Sequence, residues 1–313
     1  PLTDPAKWDF KIRGTPETIR LASPLFPFEA RFSGGEIVYV PGSEAANDVA
    51  IEFLDGSVVA TYQTKGLIDP ESIAGRLDGS LGPEAIAWVN TLLPLPEHLQ
   101  MKPPVDLSGV KLAWNDTGET AFSGTIQTAG GVNVFADVSL FPEAWHLRRI
   151  EFSDGSSRVT ASARKEAERI EVAFSGNVEK TTADRLLAEN RILAGRLQGD
   201  FRAIIDTRRP MSSAFDGRLS GQGVQLRQLL PEPVELKHLS IESSAGQVAI
   251  DSSEVHLYGS QLVVDGSLKN RSGDITLNLN LAADRLDAEL IQAIQSMGEA
   301  DTTPQTNDET GLA

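Results

Sequence analysis

Apolar residues recur at every second position along most of this chain, from about Glu36 to Ala283. Val132, Val134, Ala136, Val138 and Leu140 share one parity. Ile170, Val172 and Phe174 alternate with Glu171, Ala173 and Ser175, and Ile275, Leu277, Leu279 and Leu281 alternate with Thr276, Asn278 and Asn280. Successive side chains on a strand point to opposite faces, so each run is a ribbon with one oily and one wet side. A chain of 313 residues built of such ribbons must cover a very long apolar face. What covers it is the functional question.

Charge and composition remove several classes. The net charge is -16 and no cluster of Lys and Arg stands against it, so the cationic footprint of a nucleic-acid binder is missing. The same balance gives no support for attraction to an anionic membrane surface. With no Cys there is no disulfide scaffold, thiolate metal site or Cys nucleophile. The chain begins at Pro1 and its Met residues are Met101, Met211 and Met297, which reads as a piece of a longer protein. No run of about 20 apolar residues is present to span a bilayer, so an anchor would lie outside this piece.

Punctuation along the chain predicts a meander. Residues 1–30 are Pro-rich and read as an irregular edge segment, with strands starting near Phe32. Asp55-Gly56, Asp78-Gly79, Asp154-Gly155, Asp216-Gly217 and Asp265-Gly266 read as hairpin turns. Helices are expected at Pro83–Leu93, at Thr182–Asn190 capped by Thr181 or Thr182, and at Asp284–Met297. Ala74–Gly79 and Ala194–Gly199 (AGRLDG and AGRLQG) form a faint internal echo.

A search for chemistry finds none. His98, His146, His238 and His256 share no chelating spacing, and His256 falls on the wet parity beside Val255 and Leu257. No nucleophile elbow, zinc-protease helix, phosphate loop or dinucleotide fingerprint occurs. Gly34-Gly35 and Gly130-Gly131 read as turns, and Asp251, Asp265 and Asp274 do not make a calcium loop. Asp284 and Asp287 read as a solvated helix face. The expectation is a non-enzyme without cofactor or metal. By parity alone, the core of a sandwich or barrel is the favoured use of such an apolar face.

Two stretches resemble the AsmA-like family of bacterial envelope proteins (AsmA/YhdP/TamB type). One is Gly217-Arg218-Leu219-Ser220-Gly221-Gln222-Gly223-Val224 with Leu229-Leu230-Pro231 and Val248–Leu281, ending in Ala283-Asp284-Arg285-Leu286-Asp287. The other is Trp145–Val178, with Leu147–Ser157 followed by Ala173-Phe174-Ser175-Gly176-Asn177-Val178. The resemblance implies an all-β chain with a few short helices: a long, strongly twisted antiparallel meander curled into a taco- or gutter-like groove with an apolar lining. Its parts would be an irregular segment 1–30, a first β segment with a short helix 31–100, the main groove 101–297 with helices near 182–190 and 284–297, and a disordered acidic tail 298–313. The Gly-rich strands would let such a sheet coil strongly.

The implied function is transfer of phospholipid or another acyl-chain lipid between inner and outer membranes. The protein would sit in the periplasm, held to the inner membrane by a segment outside this piece, with possible membrane-protein partners. The expected groove lining is Val132, Val134, Val138, Leu140, Ile170, Val172, Phe174, Val248, Ile250, Leu262, Val264, Leu268, Ile275, Leu277, Leu279 and Leu281. Polar residues Arg164–Arg169 would form a turn where the groove opens to solvent. Two other readings stand beside it. One is an assembly scaffold for outer-membrane proteins acting through its sheet edge. The other is a closed β-sandwich adhesion module, with Trp8 or Trp114 as a sugar shelf.

Overall fold

The computed structural model describes residues 10–23, 26–66, 71–92, 100–208, 213–225, 234–244, 247–257, 259–271 and 274–285. The strands are β1 (Ile12–Gly14), β2 (Ile19–Ser23), β3 (Phe26–Ser33), β4 (Glu36–Val40), β5 (Ser43–Phe53), β6 (Gly56–Lys65) and β7 (Ser72–Leu81). Helix α1 (Pro83–Leu92) precedes β8 (Val105–Asn115), β9 (Thr120–Thr128), β10 (Asn133–Leu140), β11 (Ala144–Ser153), β12 (Arg158–Glu166) and β13 (Arg169–Glu179). Helix α2 (Lys180–Leu186) precedes β14 (Leu193–Asp206), β15 (Ala214–Gln225), β16 (Glu235–Ser244), β17 (Gln247–Leu257), β18 (Ser260–Arg271) and β19 (Asp274–Ala283).

All 19 strands belong to one antiparallel sheet. From β5 to β19 each strand pairs with its successor in the chain, as the short turns require. The meander is a single sheet, not two packed as in a sandwich, and it is not closed into a barrel. At about 4.8 Å per strand its contour is about 80 Å.

The N-terminal residues depart from expectation. Instead of an irregular segment, they supply β1, β2 and most of β3. β3 and β4 lie end to end along one edge of β5, and β1 and β2 lie end to end along β4 and β3. Gly34 and Gly35 (φ 65° and 64°) interrupt the longer line rather than turning a hairpin. A Cβ on Gly35 would fall 2.4 Å from the Asn47 carbonyl oxygen, so only glycine fits. Pro16 breaks the outer line, and its carbonyl accepts from the Gly34 amide at 2.8 Å. A proline that has no N–H to give costs least on such an edge.

The Asp-Gly pairs are also not uniformly turns. Asp154-Gly155 lies in the β11–β12 turn, and at β5–β6 the turn residues are Leu54 (φ 51°) and Asp55. Asp78-Gly79, Asp216-Gly217 and Asp265-Gly266 lie inside β7, β15 and β18. There the aspartate takes the wet face and the glycine the apolar one. Gly79 (φ 154°) and Gly217 (φ 106°) adopt backbone geometry closed to other residues. Mid-strand glycines and the bulges in β7–β8, β10–β11, β11–β12, β14–β15 and β17–β18 give the strands places to bend.

Both helices follow β-strands at the same end of the sheet and fold back onto its apolar face. α1 places Ala85 and Ile86 against Val58, Leu81, Val105 and Ile126. α2 places Ala183 against Leu193 and Val224. Asp55 caps α1 from the β5–β6 turn, accepting from the amides of Glu84 (3.0 Å) and Ala85 (2.8 Å), and these bonds hold its carboxyl below the usual range. The N-cap of α2 is Glu179, whose side chain makes no cap bond, and the helix ends at Leu186 rather than at Asn190. Thr181 and Thr182 are therefore both inside the helix, and neither caps it. The helix expected at 284–297 and the tail 298–313 lie outside the described residues.

α2 also shows that the sheet curls. Its Arg185 reaches the β9–β10 turn: Nε donates to the Gly130 carbonyl at 2.7 Å, and the Arg185 carbonyl accepts from Thr128 Oγ1 at 3.1 Å. Four strand spacings of flat sheet are about 19 Å, whereas the five residues from Lys180 to Arg185 advance about 8 Å. The sheet end is drawn inward on its apolar side, giving the curled trough expected from the resemblance.

Candidate functional site

Pairing the strands aligns their oily sides into one surface. A single line of register partners runs from edge to edge. It begins with Ile19, Phe32, Ile51, Val58, Gly79, Leu107 and Ile126. Through the middle come Val134, Phe152, Val159, Gly176 and Gly199. The line ends with Leu219, Ile241, Ile250, Gly266 and Leu279. Every member is apolar or glycine. One residue to the side, the other face runs Arg31, Glu52, Ser57, Ser80, Asp106, Gln127, Asn133 and Ser153, then Arg158, Asn177, Gln198, Ser220 and Ser240. Every member there is polar.

Among the described residues, cover over the apolar face is partial. Under α1 and near α2 it is buried: Val58, Ile126, Val134 and Val159 are each at most 5% exposed. From β15 onward Leu219, Ile241 and Ile250 are half-buried, and at the last strand Leu279 and Leu281 are 42% and 52% exposed. The two buried clusters are local, each made of neighbouring strands and one helix, and neither joins one half of the sheet to the other. Bulk is added by stacked rings on successive strands, Phe174–Phe201 at 5.7 Å and Phe201–Phe215 at 5.3 Å between centroids. At the α1 end, Trp88 meets Phe28 and Phe53 edge-on.

The two long rims differ. The helix-bearing rim is held by a polar seat. Asp154 accepts from the amides of Ser156 and Ser157 (both 2.8 Å), from Thr182 Oγ1 (2.8 Å) and from Arg185 (3.1 Å). Burial raises the Asp154 carboxyl, but the hydrogen bonds outweigh it and hold the group below its usual range. The opposite rim has no helix among the described residues. Ile73, Leu112, Trp114 and Ile205 are exposed there, and Ile73 and Trp114 line a shallow cavity of about 240 Å³. Tyr62 donates to Glu44 at 2.6 Å near this rim, and burial followed by that carboxylate pushes its hydroxyl up.

The register places the lining residues expected from parity on this one face: Val134, Val138 and Leu140 on β10; Ile170, Val172 and Phe174 on β13; Val248 and Ile250 on β17. It does the same for Leu262, Val264 and Leu268 on β18, and for Leu279 and Leu281 on β19. Ile275 and Leu277 take the same parity, although their side chains lie outside the described residues. Val132 sits at the β9–β10 turn, fully buried. The register adds the equivalent residues of the first half, Ile51, Val58, Leu107 and Ile126, which the expected lining does not include. Their alternation was visible, but the partners aligning them were not.

Other candidates resolve as wet-face groups. His146 faces Glu166 (3.0 Å), His256 faces Glu254 (3.3 Å), and Asp265 accepts from the Ser252 amide (2.7 Å). Among the described residues no cluster of His and carboxylates is placed to hold a metal, and no helix is long and apolar enough to cross a membrane. His98, Trp8 and Asp287 lie outside the described residues. Compared with family models, with curated proteins and with solved structures, the chain matches none.

Proposed function

We propose that this protein holds the acyl chains of phospholipid along its apolar trough and helps them cross the aqueous space between two membranes. It would do so as the periplasmic portion of an AsmA-like protein anchored in the inner membrane by a segment outside this chain. The observation that carries the reading is the edge-to-edge line of apolar and glycine partners, half-buried beyond the helices. Each CH₂ exposed to water costs about 0.8 kcal/mol, so a lined path removes a barrier that a free lipid would face. A surface without polar anchors holds tails without fixing them, which suits passage.

Native mass spectrometry of gently purified protein tests this. Bound phospholipid is expected, and its loss is expected with Leu219→Asp. Lipid-free protein that also takes up none from vesicles would refute the reading. A second reading, an assembly scaffold, is favoured by the outer edge of β19, where Leu281 is 52% exposed. Crosslinks from Asn280 to an outer-membrane barrel, without crosslinks to lipid, would select it.

A further inference from the structure

The apolar face carries almost no charge. Among the described strand residues that the register assigns to it, the charged ones are Glu44 and Lys165, both at the rim without helices. Glu44 is engaged by the Tyr62 hydroxyl. Lys165 has no ion pair or hydrogen bond among the described residues and is exposed. Its register neighbours are Trp145 on β11 and Ile170 on β13. The adjacent wet-face cations are all engaged: Arg164 with Glu166, Arg169 with Glu171, and Arg208 with Glu168. The strand continues through Lys165 to Glu166, and only Ala167 and Glu168 make the turn. A lysine stem can lie along apolar neighbours while its ammonium stays in water at the rim.

We propose that Lys165 is a headgroup subsite, its ammonium receiving the phosphate of a glycerophospholipid whose tails enter the trough. This rests on the groove reading above and names the ligand class at one place in it. Charge argues for a dedicated cation there. A protein of net charge -16 repels an anionic lipid overall, so a local positive group must offset that field. Glu168 is the neighbouring anion, and it is already bound by Thr207 and Arg208. Dimensions agree as well. From Lys165 inward to Val159 is six residues, about 20 Å of strand. A tail in one leaflet occupies about 15 Å, half of the hydrocarbon core. A phosphate on Lys165 therefore lets a tail approach the central line and stop short of the polar Asp154 seat.

The test compares dioleoyl phosphatidylglycerol with dioleoylglycerol, which has the same tails and no phosphate, binding to the whole chain and to Lys165→Gln and Lys165→Arg. Thermal melts confirm that each variant folds. Lys165→Gln should weaken phosphatidylglycerol about tenfold, leave dioleoylglycerol unchanged, and be rescued by Lys165→Arg. Unchanged phosphatidylglycerol binding, or equal loss of both lipids, would overturn the subsite and leave the groove standing. Failure of the unaltered protein to bind either lipid would overturn the groove itself. Inorganic phosphate should not displace the lipid at comparable concentration, and displacement would overturn the lipid assignment.

Discussion

Asp154 keeps a side chain only 5% exposed yet ionised, because two amides, a hydroxyl and a guanidinium converge on it. Asp154→Ala would leave the Ser156 and Ser157 amides without their acceptor, while Thr182 Oγ1 keeps Ser157 Oγ at 2.6 Å, and is expected to cost about 1–3 kcal/mol in urea denaturation. Its pH dependence has a fixed sign. The folded carboxyl lies below its unfolded value of about 3.9, so the stabilisation is complete above that pH and fades as pH falls through the lowered folded value. The stability gap between the native protein and Asp154→Asn should therefore shrink in acid and stay flat from pH 6 to 8. The sequence displayed Asp154-Gly155 as a turn and Thr182 at the start of a helix. It could not display that these two, 28 residues apart, form one seat, since nothing local distinguishes a threonine that caps its own helix from one that faces a distant carboxylate.

The strands depend on glycine where the backbone leaves the range open to other residues. At Gly176 on β13 (φ 132°) a Cβ would fall 1.9 Å from the Arg158 carbonyl oxygen of β12. Gly176→Ala is expected to cost about 1–3 kcal/mol or more and to lower the midpoint of thermal unfolding. Gly155, in open space in the β11–β12 turn, should accept alanine within about 0.5 kcal/mol. This contrast explains which elements could be read in advance. Alternation gave the strands and their faces, because period two is imposed by the pleat itself. Asp-Gly gave turns only in part, because the same dipeptide serves a hairpin at Asp154 and a mid-strand kink at Asp78, Asp216 and Asp265. Parity separates them after the fact: in each kink the glycine continues the oily alternation of its own strand.

Over the whole molecule, one question governs function: whether water and lipid, or other protein, meet the apolar face beyond the helices. Ile241 on β16 lies on the central line and is half-buried. If that face is a trough, an aspartate there stays hydrated when the trough is empty. Ile241→Asp should then lose little more than the side chain's own burial, about 1–2 kcal/mol, and should still fold. Under the same premise it should cut lipid transfer between donor and acceptor vesicles at least tenfold, since a tail would have to pass a carboxylate that has no partner. A face covered by protein gives the opposite pair of results. The carboxylate would be buried without a partner, unfolding would be shifted by several kcal/mol, and transfer, never having used this face, would be unaffected in whatever protein remained folded. Measuring stability and transfer on the same variant thus separates the two states of the sheet that alternation in the sequence leaves equivalent.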